Sequence, residues 1–229
     1  LAYIFIIIFL LMAGLFTFGS SPFGDFMNNN MASLSFSFFS FIPWLFLILI
    51  PPISMRLWSE EQKNGTIELL FTLPINIYEA VIGKFMASFV LLLISVAFTF
   101  PLVLTVNWLG NPDNNVILTS YFGSLLLGAG YIAIGSAIST LSKNQIITYI
   151  YSLVILMLLL IMGHPSITSI FIKWAPVWVV DFVANLSAFH HFDSFQRGII
   201  NSSDILYFVS LVFLGLFVSC VILKTKNKL

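Results

Sequence analysis

Six apolar stretches, most of them long enough to cross a lipid bilayer, dominate this chain of 229 residues. They are Leu1–Phe18, Leu34–Ile53, Val81–Val106, Val116–Leu141, Ile146–Met162 and Ile205–Leu223. A helix needs about 20 apolar residues to cross the hydrocarbon core, so the first and fifth stretches are at the short end. A backbone segment surrounded by lipid satisfies its own hydrogen bonds as a helix. With only 8% charged residues, the chain is predicted to be an all-α membrane protein with six transmembrane helices.

The basic residues are divided unevenly between the two sides of these stretches. Cytoplasmic loops of membrane proteins are enriched in Lys and Arg. If the loop between the second and third stretches is cytoplasmic, Lys173 and Arg197 lie outside. The other seven of the nine basic residues then lie inside, namely Arg56, Lys63, Lys84, Lys143, Lys224, Lys226 and Lys228. We therefore expect both ends of the chain to be cytoplasmic, and the net charge of +0 does not suggest nucleic-acid binding.

The interiors of the six stretches contain no Asp, Glu, Arg or His. A charge at mid-bilayer costs roughly 2.5–3.5 kcal/mol and is normally retained for function. Its absence argues against a proton relay or an intramembrane catalytic dyad. Lys84 lies at the cytoplasmic end of the third stretch, where its stem is expected to snorkel to the interface. Pro43 and Pro101 could break helices, as in a secondary transporter coupled to ions or protons, which is a weaker alternative.

Small residues recur along the fourth stretch at the spacing of one helix face. Small side chains let two membrane helices approach closely. We expect this face to pack against another helix of the same chain, or alternatively against a second subunit. The candidate packing residues are Gly128, Ala129, Ala133 and Ala137.

The loop between the second and third stretches, residues 55–74 and here called the charged loop, is unusually polar. It holds five of the eighteen charged residues of the chain, two of them basic (Arg56 and Lys63) and three acidic (Glu60, Glu61 and Glu68). A helix-prone charged loop between two membrane helices is suited to docking a partner protein. An interfacial helix lying on lipid is the alternative.

Two short helices are predicted within the charged loop. Ser59 with Gln62 fits a capping box that starts the first helix, and the Asn-Gly pair before Thr66 fits a stop. Thr66 is then expected to cap the second helix, with Glu68 in its first turn, where a carboxylate offsets the helix dipole. Pro74 is expected to end that helix.

Residues 61–74, EQKNGTIELLFTLP, resemble the signature of ABC-2-type transporter permeases. Residues 83–85 (GKF), 133–135 (AIG) and 191–198 (HFDSFQRG) add to this resemblance, which covers essentially the whole chain. Taken together, they are most similar to the gliding-motility-associated subgroup. Members of the family usually begin with an amphipathic helix before the first span, whereas this chain begins within an apolar run. We therefore expect residues 1–229 to be a single transmembrane domain lacking its N-terminal segment.

The resemblance implies that the charged loop is a coupling helix that sits in a cleft of a separate ABC ATPase, and that the chain lies in the inner membrane of a bacterium. It also implies an exporter in which two permease subunits, identical or different, share the pathway. The chain itself would bind no cofactor, with ATP and Mg on the partner ATPase. The candidate coupling residues are Glu60, Glu61, Gly65, Thr66, Glu68 and Pro74.

No nucleotide-binding motif is present, because the Gly83-Lys84 pair is followed by Phe and Tyr occupies the position of the earlier glycine. His190, His191 and Asp193 could supply metal ligands or a catalytic cluster, which leaves a membrane-embedded enzyme as a further alternative. Adjacent His side chains on a helix diverge, so an interfacial structural role is expected instead.

The segment between the fifth and sixth stretches, Gly163–Asp204, mixes aromatic and charged residues. Interfacial aromatics prefer the depth of the lipid headgroups. In the resembled family this region forms short re-entrant helices at the outer leaflet, and an ordinary loop is the alternative. The aromatic residues expected at the interface are Trp174, Trp178 and Phe182.

Overall fold

The computed structural model describes residues 2–18, 34–72, 74–163 and 176–226, and within these ranges the regular structure is helical, without a β-strand. The α-helices are α1 (Ala2–Phe18), α2 (Leu34–Ser37), α3 (Ile42–Leu49), α4 (Pro51–Ser54), α5 (Arg56–Asn64), α6 (Thr66–Thr72), α7 (Ile77–Ala97), α8 (Phe100–Leu109), α9 (Asn114–Ser139), α10 (Gln145–Ile161), α11 (Val177–Asn185), α12 (Ala188–Gln196) and α13 (Ser202–Lys226). A 3-10 turn at Phe39–Phe41 precedes α3. The predicted all-α class is thus confirmed for the described part of the chain.

Four helical segments among the described residues are long and apolar enough to cross a membrane. They are Phe39–Asn64, Ile77–Leu109, Asn114–Ser139 and Ser202–Lys226. They correspond to the second, third, fourth and sixth predicted stretches. The first and fifth stretches form α1 and α10, which have 17 residues each. At 1.5 Å per residue such a helix is about 25 Å long, just short of the hydrocarbon core, so the count of six spans stays a prediction.

The central element of the bundle is α9. Every residue from Leu127 to Ser139 is buried, and α9 packs against α4, α7, α10, α12 and α13. Its small residues permit these approaches. A Cβ added at Gly128 would overlap the Leu92 side chain of α7, and one added to Gly215 of α13 would lie 2.6 Å from the Ala133 carbonyl carbon. The face that carries Gly128 and Ala133 therefore contacts helices of this same chain.

Prolines interrupt two of the long segments. The turn at residues 98 and 99 separates α7 from α8, whose second residue is Pro101. Pro43 likewise occupies the second position of α3, directly after the 3-10 turn. Proline lacks a backbone N–H and its ring displaces the preceding turn, so both residues begin a new helix. The Thr99 hydroxyl at the first break forms a 2.9 Å hydrogen bond with the Tyr121 hydroxyl of α9.

Two short helices, α11 and α12, precede α13, where the family resemblance implied short helices. Each has nine residues, about 14 Å of helix, which is too short to cross a bilayer. Trp178 and Phe182 on α11 are exposed, while Trp174 lies outside the described residues. Phe192 and Phe195 on α12 are fully buried. The depth of these helices in a membrane remains a prediction.

Candidate functional site

The first helix of the charged loop is a continuation of the preceding membrane helix. The predicted capping box at Ser59 is wrong, because Ser59 is buried in the interior of α5. Its hydroxyl donates to the carbonyl of Met55, one turn earlier in the chain. The chain is already helical at Pro51–Ser54, and α5 begins at Arg56, so no new helix has to start at Ser59. A serine inside a helix commonly bonds back to the preceding turn.

The bend between α5 and α6 is made by Gly65. Its φ of +72° is left-handed, and it ends α5 as the Asn-Gly pair predicts. Thr66 is the first residue of α6, and its hydroxyl donates to the Glu61 carbonyl at 3.4 Å. The predicted role of Thr66 as the cap of α6 is therefore wrong, since its side chain holds the end of α5. Glu68 lies in the first turn of α6 and is exposed.

Helix α6 ends at Thr72, and Pro74 is exposed in the bend that follows. The capping box of this region starts α7. The Asn76 backbone N–H donates to Glu79 Oε2 at 3.3 Å, and the Asn76 side-chain amide donates to Oε1 at 3.1 Å. An Asn followed three residues later by Glu was the sequence signal for this box.

The buried side of α5 is fixed to the end of α9 by Trp58. This side chain is fully buried. Its indole N–H donates to Ser136 Oγ at 3.2 Å, and its backbone N–H donates to Ser139 Oγ at 3.0 Å. Gly135 makes room for this approach, since a Cβ there would lie 2.6 Å from the Cβ of Ser54.

A lysine from α7 fixes the same helix from another side. Lys84 Nζ lies 2.5 Å from Glu61 Oε1, donates to the Leu57 carbonyl, and lies 4.3 Å from the centre of the Trp58 ring. The Lys84 ammonium group thus finds its partners on α5, and the expectation that its stem snorkels to the membrane interface stays a prediction. Glu61 Oε2 is buried and has no hydrogen-bond partner among the described residues.

A third attachment joins α5 to the end of α13. Lys226 Nζ donates to Gln62 Oε1 and to the Thr140 carbonyl, both at 2.7 Å. The Gln62 amide donates to the same carbonyl at 3.0 Å. Together, Trp58, Glu61, Gln62, Lys84 and Lys226 form what is here called the anchor cluster, which connects α5 to α7, α9 and α13.

The opposite side of the charged loop carries charged side chains that are exposed. Glu60, Lys63 and Glu68 are exposed, and neither glutamate makes an ion pair within the described part of the chain. Lys63 and Lys143 line a cavity of ≈ 460 Å³ beside the start of α10. The charged loop thus has one side attached to three long helices and another available to a partner.

Residues 1–225 match the family model described as ABC-2 family transporter protein. The chain belongs to the ABC-2 transporter family. Among curated proteins, none matches it significantly. As an ABC-2 permease, it is a multi-pass membrane protein and a transport subunit of an ABC exporter, and its family implies an ABC ATPase as partner.

His190 and His191 do not form one cluster with Asp193. His190 is exposed, and Asp193 pairs with Arg197. His191 is buried, with Nδ1 2.6 Å from Asp204 Oδ1 and Nε2 2.8 Å from the Asn185 carbonyl oxygen. A carbonyl oxygen only accepts, so Nε2 carries a hydrogen.

Asp204 was missed by the sequence analysis because nothing local distinguishes it from the polar residues that precede α13. Its buried carboxylate joins the start of α13 to α12 through His191. Within the described ranges, no three His, Cys, Asp or Glu residues are grouped as metal ligands. The His191–Asp204 pair connects α12 to the first turn of α13, at the end of the bundle opposite the charged loop.

Proposed function

We propose that this permease crosses the membrane six times and forms half of the pathway of an ATP-driven exporter. In this proposal a separate ABC ATPase binds the exposed side of α5 and α6, through Glu60 and Glu68. The observation that carries it is the anchor cluster, which joins the charged loop to three long helices. Movement of the loop would then be passed to the helices that line the pathway.

The proposed coupling follows from how the loop is built. ATP and Mg would be bound by the ATPase, and closure of its two copies would push α6. Gly65 joins α6 to α5 through a left-handed turn, and α5 is attached to α9 by the hydrogen bonds of Trp58. Because packed helices shift as rigid bodies, a displacement of α5 moves α9 and its neighbours together. A second permease subunit, identical or different, would complete the pathway.

The proposed location is the bacterial inner membrane, with both chain ends in the cytoplasm. Support comes from contacts that gather basic residues at the end of the bundle that carries the charged loop. Lys84 and Lys226 contact α5 there, and Lys63 and Lys143 share a cavity. Two of the nine basic residues on which the predicted orientation depends, Lys173 and Lys228, lie outside the described residues. A finer assignment, to the gliding-motility-associated subgroup, is part of the same proposal.

Thiol labelling tests the orientation. We expect a cysteine at Asn64 to react only with membrane-permeant reagents and one at Asn114 to react with impermeant reagents added to whole cells. Both residues are exposed and lie at opposite ends of the bundle. Cys220 is buried and is first replaced by Ser. Labelling of Asn64 from outside would contradict both the orientation and the docking of an ATPase on the charged loop.

Purification under mild conditions tests the partner. The tagged permease, extracted from its own cells in a mild detergent, is expected to bring down an ABC ATPase that mass spectrometry identifies. ATP hydrolysis in the eluate is then expected to depend on the permease. If the permease stays folded and no ATPase is recovered, the proposed function is wrong. A secondary transporter coupled to ions or protons then becomes the better explanation.

A further inference from the structure

We propose that Glu61 and Lys84 form an internal latch that holds the charged loop on α7, and that Glu61 does not contact the ATPase. This inference rests on the proposed function, because it assigns roles within the coupling surface. It departs from the expectation that all the acidic residues of the charged loop face the partner.

The contacts of Lys84 leave its ammonium group little to offer a partner. An ammonium group has three N–H donors. Lys84 uses two oxygen acceptors, Glu61 Oε1 at 2.5 Å and the Leu57 carbonyl, and its third neighbour is the face of the Trp58 ring. The attraction of a cation to an aromatic face adds to the ion pair. Three groups of α5 thus surround one amine from α7.

Burial distinguishes Glu61 from the other acids of the loop. The side chain of Glu61 is 28% exposed and that of Lys84 is 24% exposed. Glu61 Oε2 is itself buried, so a partner reaching over the loop would find this carboxylate turned inward. Glu60 and Glu68 are exposed and remain the acids that an ATPase can touch.

The latch completes the set of attachments made by α5. Trp58 fixes α5 to α9 and Gln62 fixes it to α13, while the ion pair with Lys84 fixes it to α7. Trp58 of α5 and Val81 of α7 also share a buried apolar cluster, which is less directional than an ion pair. Without the ion pair, we expect α5 to shift against α7 when α6 is pushed. We therefore expect the ATPase still to bind the permease and hydrolyse ATP, while the amount transported per ATP hydrolysed falls.

A charge exchange tests the latch. The variants are Glu61→Lys, Lys84→Glu and the double exchange, with Glu60→Lys as the matched control on the adjacent exposed residue. Each is purified with its ATPase, and the recovered ATPase and the transport per ATP hydrolysed are measured. Each single latch variant is expected to retain most of the ATPase and to lose transport per ATP several-fold. The double exchange is expected to restore part of that loss, because it re-forms the ion pair but not the contacts of the amine with the Leu57 carbonyl and the Trp58 ring. Glu60→Lys is expected to lose the ATPase instead.

Thermal unfolding of the permease alone provides a readout that needs no ATPase. Each single latch variant is expected to unfold about 2–4 °C below the wild type, and the double exchange is expected to recover part of that loss. Glu60→Lys is expected to leave the unfolding temperature unchanged. The latch is refuted if the double exchange restores neither transport nor stability, or if Glu61→Lys loses the ATPase as Glu60→Lys does. If no ATPase binds the wild type, the proposed function fails, and the unfolding temperatures still decide whether the latch exists.

Discussion

The Glu68→Lys variant is expected to abolish ATPase association and transport while its membrane helices still insert. Glu68 is exposed in the first turn of α6, where a carboxylate interacts favourably with the helix dipole. Lysine there opposes the dipole, at a cost of about 0.3–1 kcal/mol, which is too small to unfold the protein. The large effect comes from presenting a positive charge to a basic partner surface, where a like-charge contact costs several kcal/mol.

Recovery of the ATPase with the tagged permease measures this effect. Asp181→Lys is the matched control, because Asp181 is an exposed acid on α11, remote from the charged loop. It is expected to keep the ATPase at the wild-type level, and Glu68→Gln is expected to fall between. Wild-type recovery and wild-type transport in Glu68→Lys would remove Glu68 from the coupling surface.

Gly65 tests the direction of α6 separately from its charge. A Cβ at this position would meet no other atom within 4 Å, yet the φ is +72°. Gly65→Val is therefore strained by its backbone alone, and it is expected to misdirect α6 and reduce ATPase recovery strongly. Gly65→Asn is the control, because asparagine tolerates the left-handed conformation. Equal losses in the two variants would contradict this explanation.

The Gly215→Ala variant is expected to be severely destabilised. Its new methyl group would lie 2.6 Å from the carbonyl carbon of Ala133 and 2.7 Å from its carbonyl oxygen. These are backbone atoms of α9, so α9 and α13 must separate. Overpacking of a core typically costs about 1–3 kcal/mol, and we expect the upper end or more because a side-chain rotation cannot relieve this overlap. A loss of about 3 kcal/mol would lower the unfolding temperature by roughly 6–12 °C.

Gly130→Ala is the matched control, because Gly130 lies in the same interface on the other helix. A Cβ there would be 3.7 Å from Leu211, an ordinary contact. Since alanine also favours helix by about 1 kcal/mol over glycine, this variant is expected to be neutral or stabilising. Thermal unfolding of both variants in detergent compares them directly. Equal stability of the two would show that the α9–α13 approach is looser than the structure has it.

Local chemistry made several features of this permease predictable. Apolar stretches about as long as the bilayer core became helices, because in lipid the backbone has little alternative. The Asn64-Gly65 stop and the place of Glu68 in a first turn also followed from short-range preferences. The signature in residues 61–74 indicated the ABC-2 family, and the family match confirms that level, while the subgroup stays a prediction.

The predicted caps failed where a local pattern competed with packing. Ser59 resembles an N-cap when only its neighbours are considered. In the folded chain Ser59 lies inside a helix that begins three residues earlier, at Arg56, and its side chain is on the buried side of that helix. The Trp58 indole donates to Ser136 of α9 and the Gln62 amide donates to the Thr140 carbonyl at the end of α9, so packing against α9 favours an α5 that follows directly on α4.

Only the tertiary structure decided which residues meet. Glu61 and Lys84 are separated by 23 positions, and Gln62 and Lys226 by 164. Charge and spacing showed that these side chains were unusual in an apolar chain, but not that they were partners. Their pairing depends on the packing of α7, α9 and α13 around α5, which brings together atoms that no short-range preference relates. The sequence by itself therefore determined the helices and the family, and the packing of the helices determined which charges hold the loop and which remain exposed.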